Sequence, residues 1–175
     1  MVLCVNAGQK SHERHSFSDK LWVSAICADW LHSVCPRHSD NERRNSMSET
    51  KQVIVIRKDL NMRKGKIAAQ ASHASWATLL NRGSIHDATK TLTIQLTDDM
   101  MAWFKVRFTK ICVYVESEAA LIDVYETARA KGLACSLIRD AGLTEFGGVP
   151  TYTAVGIGPA LAEDIDGITG HLPLL

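Results

Sequence analysis

The sequence offers nothing long enough to cross a bilayer. No run approaches the ~18 apolar residues a membrane-spanning helix needs. The nearest stretch, LWVSAICADWL at 21–31, is short and carries Asp29. The opening MVLCVNAGQKSHERH lacks the basic-then-apolar order of a secretory leader. No Cys-x-x-Cys occurs, and the five cysteines (Cys4, Cys27, Cys35, Cys112, Cys135) are an odd number. This argues against a disulfide framework and fits a reducing compartment. Cys112 and Cys135 sit in apolar runs and read as core residues. Cys27, His32, Cys35 and His38 match no established zinc-finger spacing. No internal repeat or low-complexity tract is evident. The expectation is a soluble, cytoplasmic protein.

What is present is ordinary globular composition, 46% hydrophobic and 22% charged over 175 residues. The net charge of +1 hides a division. Residues 49–82 hold seven cations against two acids, whereas residues 116–175 hold three against nine. The asymmetry suggests a bipolar surface whose basic part, around residues 57–66, faces an anion. A solvated charged loop is the plain alternative. Residues 1–48 differ from the rest: they lack a convincing period and end in the polar CPRHSDNERRNSMSET. They are expected to be a disordered extension or a non-native start, with Met47 opening the functional domain at 49–175.

From Lys51 the pattern sharpens. QVIVIR (52–57) is a β-branched run expected of a strand buried on both faces. DLNMRKG (59–65) reads as a loop, and Lys66 to about Leu80 as a helix. Residues 84–96 are ambiguous; TLTIQL fits a short strand or an irregular insertion. A helix is expected over 97–108 with Thr97 as N-cap, then a strand at 110–116. SEAALIDVYETARAKG (117–132) reads as an amphipathic helix capped by Ser117 and stopped by Gly132. Strands follow at 134–142 and 151–159, and Pro159 is expected to open a last helix at about 160–168. This order predicts an α/β fold with a mixed sheet and helices on its faces.

Two places concentrate polar groups. Along the first helix, at ~100° per residue, Lys66, Gln70 and His73 share one narrow stripe. Ile67, Ala71, Ala74 and Thr78 form the adjoining face at about 80–140°, suited to packing on the sheet. The stripe is therefore expected to line the rim of a cleft. Taken singly, each residue reads more simply as surface or satisfied core. The second place is RDAGLTEFGG (139–148), at the C-terminal end of a buried strand, where open α/β sheets commonly bind ligands. Asp140 and Thr144 offer a carboxylate and a hydroxyl there, although an Asx-turn with a capping threonine is the bland reading. The glycines of VGIGP (155–159) permit close backbone approach but specify no ligand.

KQVIVIRKDLNMRKGKIAAQASHA, SLIRDAGLTE and AVGIGPALAEDIDGITGHLPLL together resemble the peptidyl-tRNA hydrolase family of the second type, over about residues 51–175. The resemblance implies a mixed four-stranded sheet flanked by helices in three layers. It implies hydrolysis of the ester joining a peptidyl group to the 3′ end of tRNA, with no metal or organic cofactor, and often a homodimer. By motif match it puts the active-site lysine, glutamine and histidine at Lys66, Gln70 and His73, and the aspartate and threonine at Asp140 and Thr144. The chain departs from the family at Leu143, where many members carry a cation, and at the FGGVP turn. RFT replaces a common Gly-Gln, and 84–96 lacks an obvious counterpart.

Ester hydrolysis suits these residue types. A tetrahedral oxyanion needs cationic or N–H donors, and Lys66 at a helix start qualifies. Asp140 is the candidate base or orienting acceptor, with Thr144 holding the water. Gln70 and His73 are candidates for positioning the ester or the terminal ribose. No serine or cysteine is evidently paired with a base, so direct attack by water is expected. Lys58, Arg63, Lys64 and Arg82 are candidates for phosphate contacts near the tRNA acceptor end. The competing readings are a non-catalytic RNA-binding or adaptor domain, and an esterase for another N-acyl ester.

Overall fold

The structure, a computed structural model, describes residues 49–175. Met47 and the group Cys27, His32, Cys35 and His38 lie outside the described residues. Strand β1 (Thr50–Arg57) leads through helix α1 (Lys64–Leu80) into a hairpin of β2 (Gly83–His86) and β3 (Thr91–Ile94). Helix α2 (Asp98–Lys105), strand β4 (Lys110–Val115) and helix α3 (Glu118–Ala130) follow. Strands β5 (Cys135–Asp140) and β6 (Thr151–Leu161) and helix α4 (Ala162–Thr169) complete the order. Four strands form one mixed sheet in the order β4-β1-β6-β5. β1 is parallel to β4 and antiparallel to β6, and β6 is antiparallel to β5.

The β-branched run of β1 explains its central place. Successive side chains alternate faces in a strand. Val53 and Val55 join Val113, Val115, Val155 and Ile157 beneath Leu121, Val124 and Ala128 of α3 and Ile165 and Ile168 of α4. Ile54 and Ile56 face the other way, joining Ala154, Met62 and Ala74, with Ile67 and Ala71 of α1 packed alongside. Helices thus cover both faces, the three-layer α/β/α arrangement. Cys112 and Cys135 are half-buried against these two clusters.

Helix α1 lies unusually close to the sheet. A Cβ added at Gly156 would sit 2.4 Å from the Ala74 carbonyl oxygen, so only glycine in β6 admits the helix backbone at this spacing. Gln52, buried in β1, reinforces the contact by donating to Thr78 Oγ1 at 2.8 Å and to the Ser75 carbonyl at 3.0 Å.

Several boundaries differ from expectation. α1 begins at Lys64 rather than Lys66, with Arg63 as its N-cap residue. The ambiguous 84–96 segment contributes an exposed two-stranded hairpin, paired Gly83–Ile94 to His86–Thr91. Pro159 does not open the last helix. β6 runs through it to Leu161, and α4 starts at Ala162. The physical reason is a register shift: Val53 pairs with Ile157, but Lys51 pairs with Ala160. Pro159 sits in that irregularity, where the ladder needs no N–H from it. The expected caps Thr97 and Ser117 do accept from the backbone N–H groups of Met100 and Ala120. Among the described residues, no helix is long and apolar enough to cross a membrane.

Candidate active site

The strand directions bring β1, β4 and β5 to an end at one edge of the sheet, where β6 and α1 begin. Asp140 is the last residue of β5. Its Oδ1 accepts from the Gly142 N–H at 2.8 Å, which fixes the carboxylate against its own turn. Its Oδ2 accepts from Lys66 Nζ at 2.6 Å and from Gln70 Nε2 at 2.9 Å, both reaching over from α1. Lys66 Nζ also donates to Thr144 Oγ1 at 3.0 Å and lies 5.5 Å from the centre of the Phe146 ring. Gln70 is only 1% exposed, and its Oε1 accepts from Thr153 Oγ1 at 2.6 Å. A continuous row, Thr153–Gln70–Asp140–Lys66–Thr144, therefore runs from the interior to the surface.

The electrostatics of the row are directional. Burial pushes the Asp140 carboxyl up, but the Lys66 ammonium, the Gly142 N–H and the Gln70 amide outweigh it and hold the group below its ordinary value. Asp140 is a carboxylate at neutral pH with three donors already in place. An ammonium carries three N–H donors. Two of Lys66's are committed, to Asp140 and Thr144, which leaves one for an incoming acceptor. Thr144 oxygen accepts from Lys66, so its own O–H is available to donate. The arrangement can orient a water molecule and stabilise an oxyanion beside it.

The 141–150 loop holds these groups in place. Gly142 has φ +81°, and a Cβ there would fall 2.3 Å from the Val149 carbonyl oxygen, so the loop closes on itself at this point. The Gly142 carbonyl accepts from the N–H groups of Phe146 and Gly148. Arg63 Nε donates to Glu145 Oε1 at 2.6 Å, tying the loop to the start of α1.

Of the residues singled out in the sequence, Lys66, Gln70, Asp140 and Thr144 come together. His73 does not join them: it is exposed, and among the described residues it makes no hydrogen bond to the four. The helical count shows why. The buried face of α1 centres nearer Ala74 and Thr78, so Gln70 at about 40° falls inside it and His73 at about −20° falls outside. The stripe is thus not uniformly a rim, because Gln70 is core.

The basic candidates divide as well. Lys64 is the exposed first residue of α1. Lys58 is half-exposed, 3.9 Å from Glu116 Oε1 and over the Tyr114 ring. Arg63 is exposed but carries the Glu145 pair. Arg57, counted in the basic stretch, is internal: it binds Asp59, Glu118 and the Tyr152 carbonyl. Arg82 lies past the far end of α1, about 21 Å of helical rise from Lys66, and donates to the Gln95 carbonyl. It does not share a surface with the others.

Sequence reading missed Thr153, Glu145 and Phe146. Thr153 left no periodic signal, since Ile138 pairs with Ala154 and Arg139 with Tyr152, so Thr153 is the extra residue of a bulge. Bulges re-aim side chains, and this one turns Thr153 toward α1. Glu145 could have been found as a second acid, beside Asp140, in a turn facing the basic start of α1.

A family model described as peptidyl-tRNA hydrolase PTH2 matches residues 50–175. A peptidyl-tRNA hydrolase of Methanocaldococcus jannaschii is 46% identical over 125 residues, covering 71% of this chain and 99% of its own. One from Methanococcus maripaludis is 40% identical over 124 residues, covering 71% and 97%. A Drosophila melanogaster protein named probable peptidyl-tRNA hydrolase 2 is 39% identical over 125 residues, covering 71% and 61%.

Proposed function

This chain belongs to the peptidyl-tRNA hydrolase PTH2 family, and on that premise we propose how its residues carry out the reaction. The protein is a hydrolase of the ester between a peptidyl group and the 3′ end of tRNA. Water attacks the ester carbonyl carbon, and the carbonyl electron pair moves onto oxygen. On collapse the carbon–oxygen bond to the ribose breaks. The released 3′ oxygen takes up a proton, and the acyl half leaves as a free carboxylate.

The remaining N–H of Lys66 meets the oxyanion. Asp140 orients the water through the lone pair its three donors leave open. Its depressed pKa keeps it ionised, and so able to accept, but makes it a weak base, so orientation is its larger contribution. Thr144 donates its O–H to the same water or to the departing oxygen. Gln70, buried and committed at both ends of its amide, holds Asp140 rather than touching the ester. His73, outside the row, meets the part of the substrate that stays outside the cleft. Lys58 and Lys64 supply charge for phosphates near the acceptor end, and Arg63 does so at the expense of its Glu145 pair.

The observation that carries this reading is the convergence on one Asp140 oxygen of Lys66 and Gln70, with Thr144 on the same ammonium. The decisive experiment follows deacylation of an N-acetylated aminoacyl-tRNA and of free aminoacyl-tRNA. The blocked ester should be cleaved by direct hydrolysis, without a burst, and lost activity should follow Lys66→Met. Cleavage unchanged in that variant would refute the assignment.

Three further parts belong to the proposal. Residues 49–175 form the catalytic unit and 1–48 an extension, so a protein starting at Met47 should keep full activity. The protein works in the cytoplasm, where its substrate arises. It self-associates as a homodimer, with Leu80, Phe104 and Phe108, exposed at the end remote from Asp140, supplying apolar surface. Sedimentation at micromolar concentration checks that state.

A further inference from the structure

Leu143 is the most exposed large apolar side chain among the described residues, at 83%. It stands between Asp140 and Thr144, both in the hydrogen-bonded row. Val149, 63% exposed, closes the same loop, and half-buried Phe146 reaches from that loop to the Lys66 ammonium. A single exposed leucine is unremarkable on any protein surface. Here three apolar side chains share one loop beside a charged site, and the loop is not loose. Gly142 packs on the Val149 backbone, Val149 N–H donates to the Phe146 carbonyl, and Arg63 anchors Glu145. Leu143 and Val149 are held out toward solvent by a built turn.

We infer that Leu143, Phe146 and Val149 form an apolar subsite for the side chain of the amino acid whose ester is cleaved. The inference rests on the ester-hydrolase reading above. The side chain of that amino acid begins two bonds from the attacked carbonyl carbon, and Leu143 is adjacent in sequence to Thr144. An acyl carbon seated at Lys66 and Asp140 therefore brings its own side chain within reach of this loop. The chemistry of the loop favours the acyl half over the terminal adenine. Bases are typically received on planar aromatic or guanidinium faces. Phe146 is the one aromatic of the three, but it packs against the core cluster with the Lys66 ammonium over its ring. The most exposed part of the subsite is therefore aliphatic Leu143 and Val149, which suit an aliphatic or aromatic side chain. No charged side chain need be neutralised for an apolar residue to settle there, whereas an acidic residue would lose hydration against it.

The test charges one tRNA body with N-acetyl-leucine, N-acetyl-glycine or N-acetyl-aspartate and measures kcat/KM for each with the full chain. Covering part of a leucine side chain predicts about a tenfold preference for the leucyl over the glycyl ester, with the aspartyl ester lowest. In Leu143→Ser and in Val149→Ser the leucyl-to-glycyl ratio should fall toward one. Both residues are exposed, so folding is not at stake, and circular dichroism verifies it. Equal slowing of all three esters would overturn the inference and point to a contact with the terminal adenosine. Unaltered ratios would also overturn it. Failure of the unaltered protein to cleave any of the three would instead remove the ester-hydrolase reading, and this inference with it.

Discussion

Thr153→Val tests how the row is held. The substitution keeps the shape of the side chain and removes one hydroxyl. Thr153 Oγ1 donates at 2.6 Å to Gln70 Oε1, and both residues are buried, so water cannot replace the donor. A buried acceptor left without a partner costs about 1–3 kcal/mol. The amide cannot escape this by rotating, because that would turn Oε1 toward the Asp140 carboxylate, acceptor against acceptor. Unfolding free energy from urea titration should therefore fall by ~2 kcal/mol. The loosened Gln70 should also hold Asp140 less firmly. Loss of that donor, worth about 1.4 kcal/mol in the transition state, corresponds to about tenfold in kcat. KM should stay within about twofold, since the substrate is not touched. Gln70 helps keep Asp140 below its ordinary pKa, so the acid limb of the rate profile should move to higher pH in the variant. Thr153→Ser should restore all three properties. A Thr153→Val protein with native turnover and an unmoved acid limb would refute this positioning role.

Other outcomes follow from the same geometry. Lys66→Met should lower kcat by about 10²–10³ in the deacylation assay, the usual effect of removing an oxyanion donor. It should also let burial dominate at Asp140 and raise that carboxyl, seen as a shifted resonance in a carbon-detected NMR titration. Lys58→Gln and Lys64→Gln should each reduce the slope of log affinity against log salt by about 0.7–0.9, whereas Arg82→Gln should leave it alone. A slope sensitive to Arg82 would place the tRNA differently. The depressed Asp140 pKa contributes stability that is present above the ordinary carboxylate value and lost as pH falls through the folded value. As pH falls below the ordinary carboxylate value, melting temperature should consequently drop less steeply in Asp140→Asn than in the unaltered chain.

Legibility in the sequence followed locality. β1 and α3 announced themselves because their burial patterns match the intrinsic periods of strand and helix. Lys66 and Gln70 could be grouped because four residues on a helix is a short, fixed relation. Asp140 and Thr144 were visible through their turn, but nothing local says that β5 ends beside the start of α1. That adjacency depends on β6 lying between β1 and β5, a long-range pairing. Where the ladder slips, local pattern misleads: Pro159 reads as a helix start and Thr153 gives no signal, each at a register shift. His73 marks the limit of angular reasoning, since a 60° separation from Gln70 is enough to pass from core to solvent.

Gly156 gives the catalytic geometry a vulnerability that lies in none of its reacting groups. Ordinary contact begins near 3.4 Å, and a methyl at this position would start 2.4 Å from the Ala74 carbonyl, so α1 must retreat by roughly an ångström. Lys66 and Gln70 ride on that helix as one body, while Asp140 and Thr144 stay with the sheet. Displacements of that size can cost about a hundredfold in rate. A Gly156→Ala protein that still folds would thus lose about a hundredfold in rate with every reacting group intact. Variation at an inconspicuous glycine on the inner strand would then behave, in any activity screen, like loss of the lysine itself.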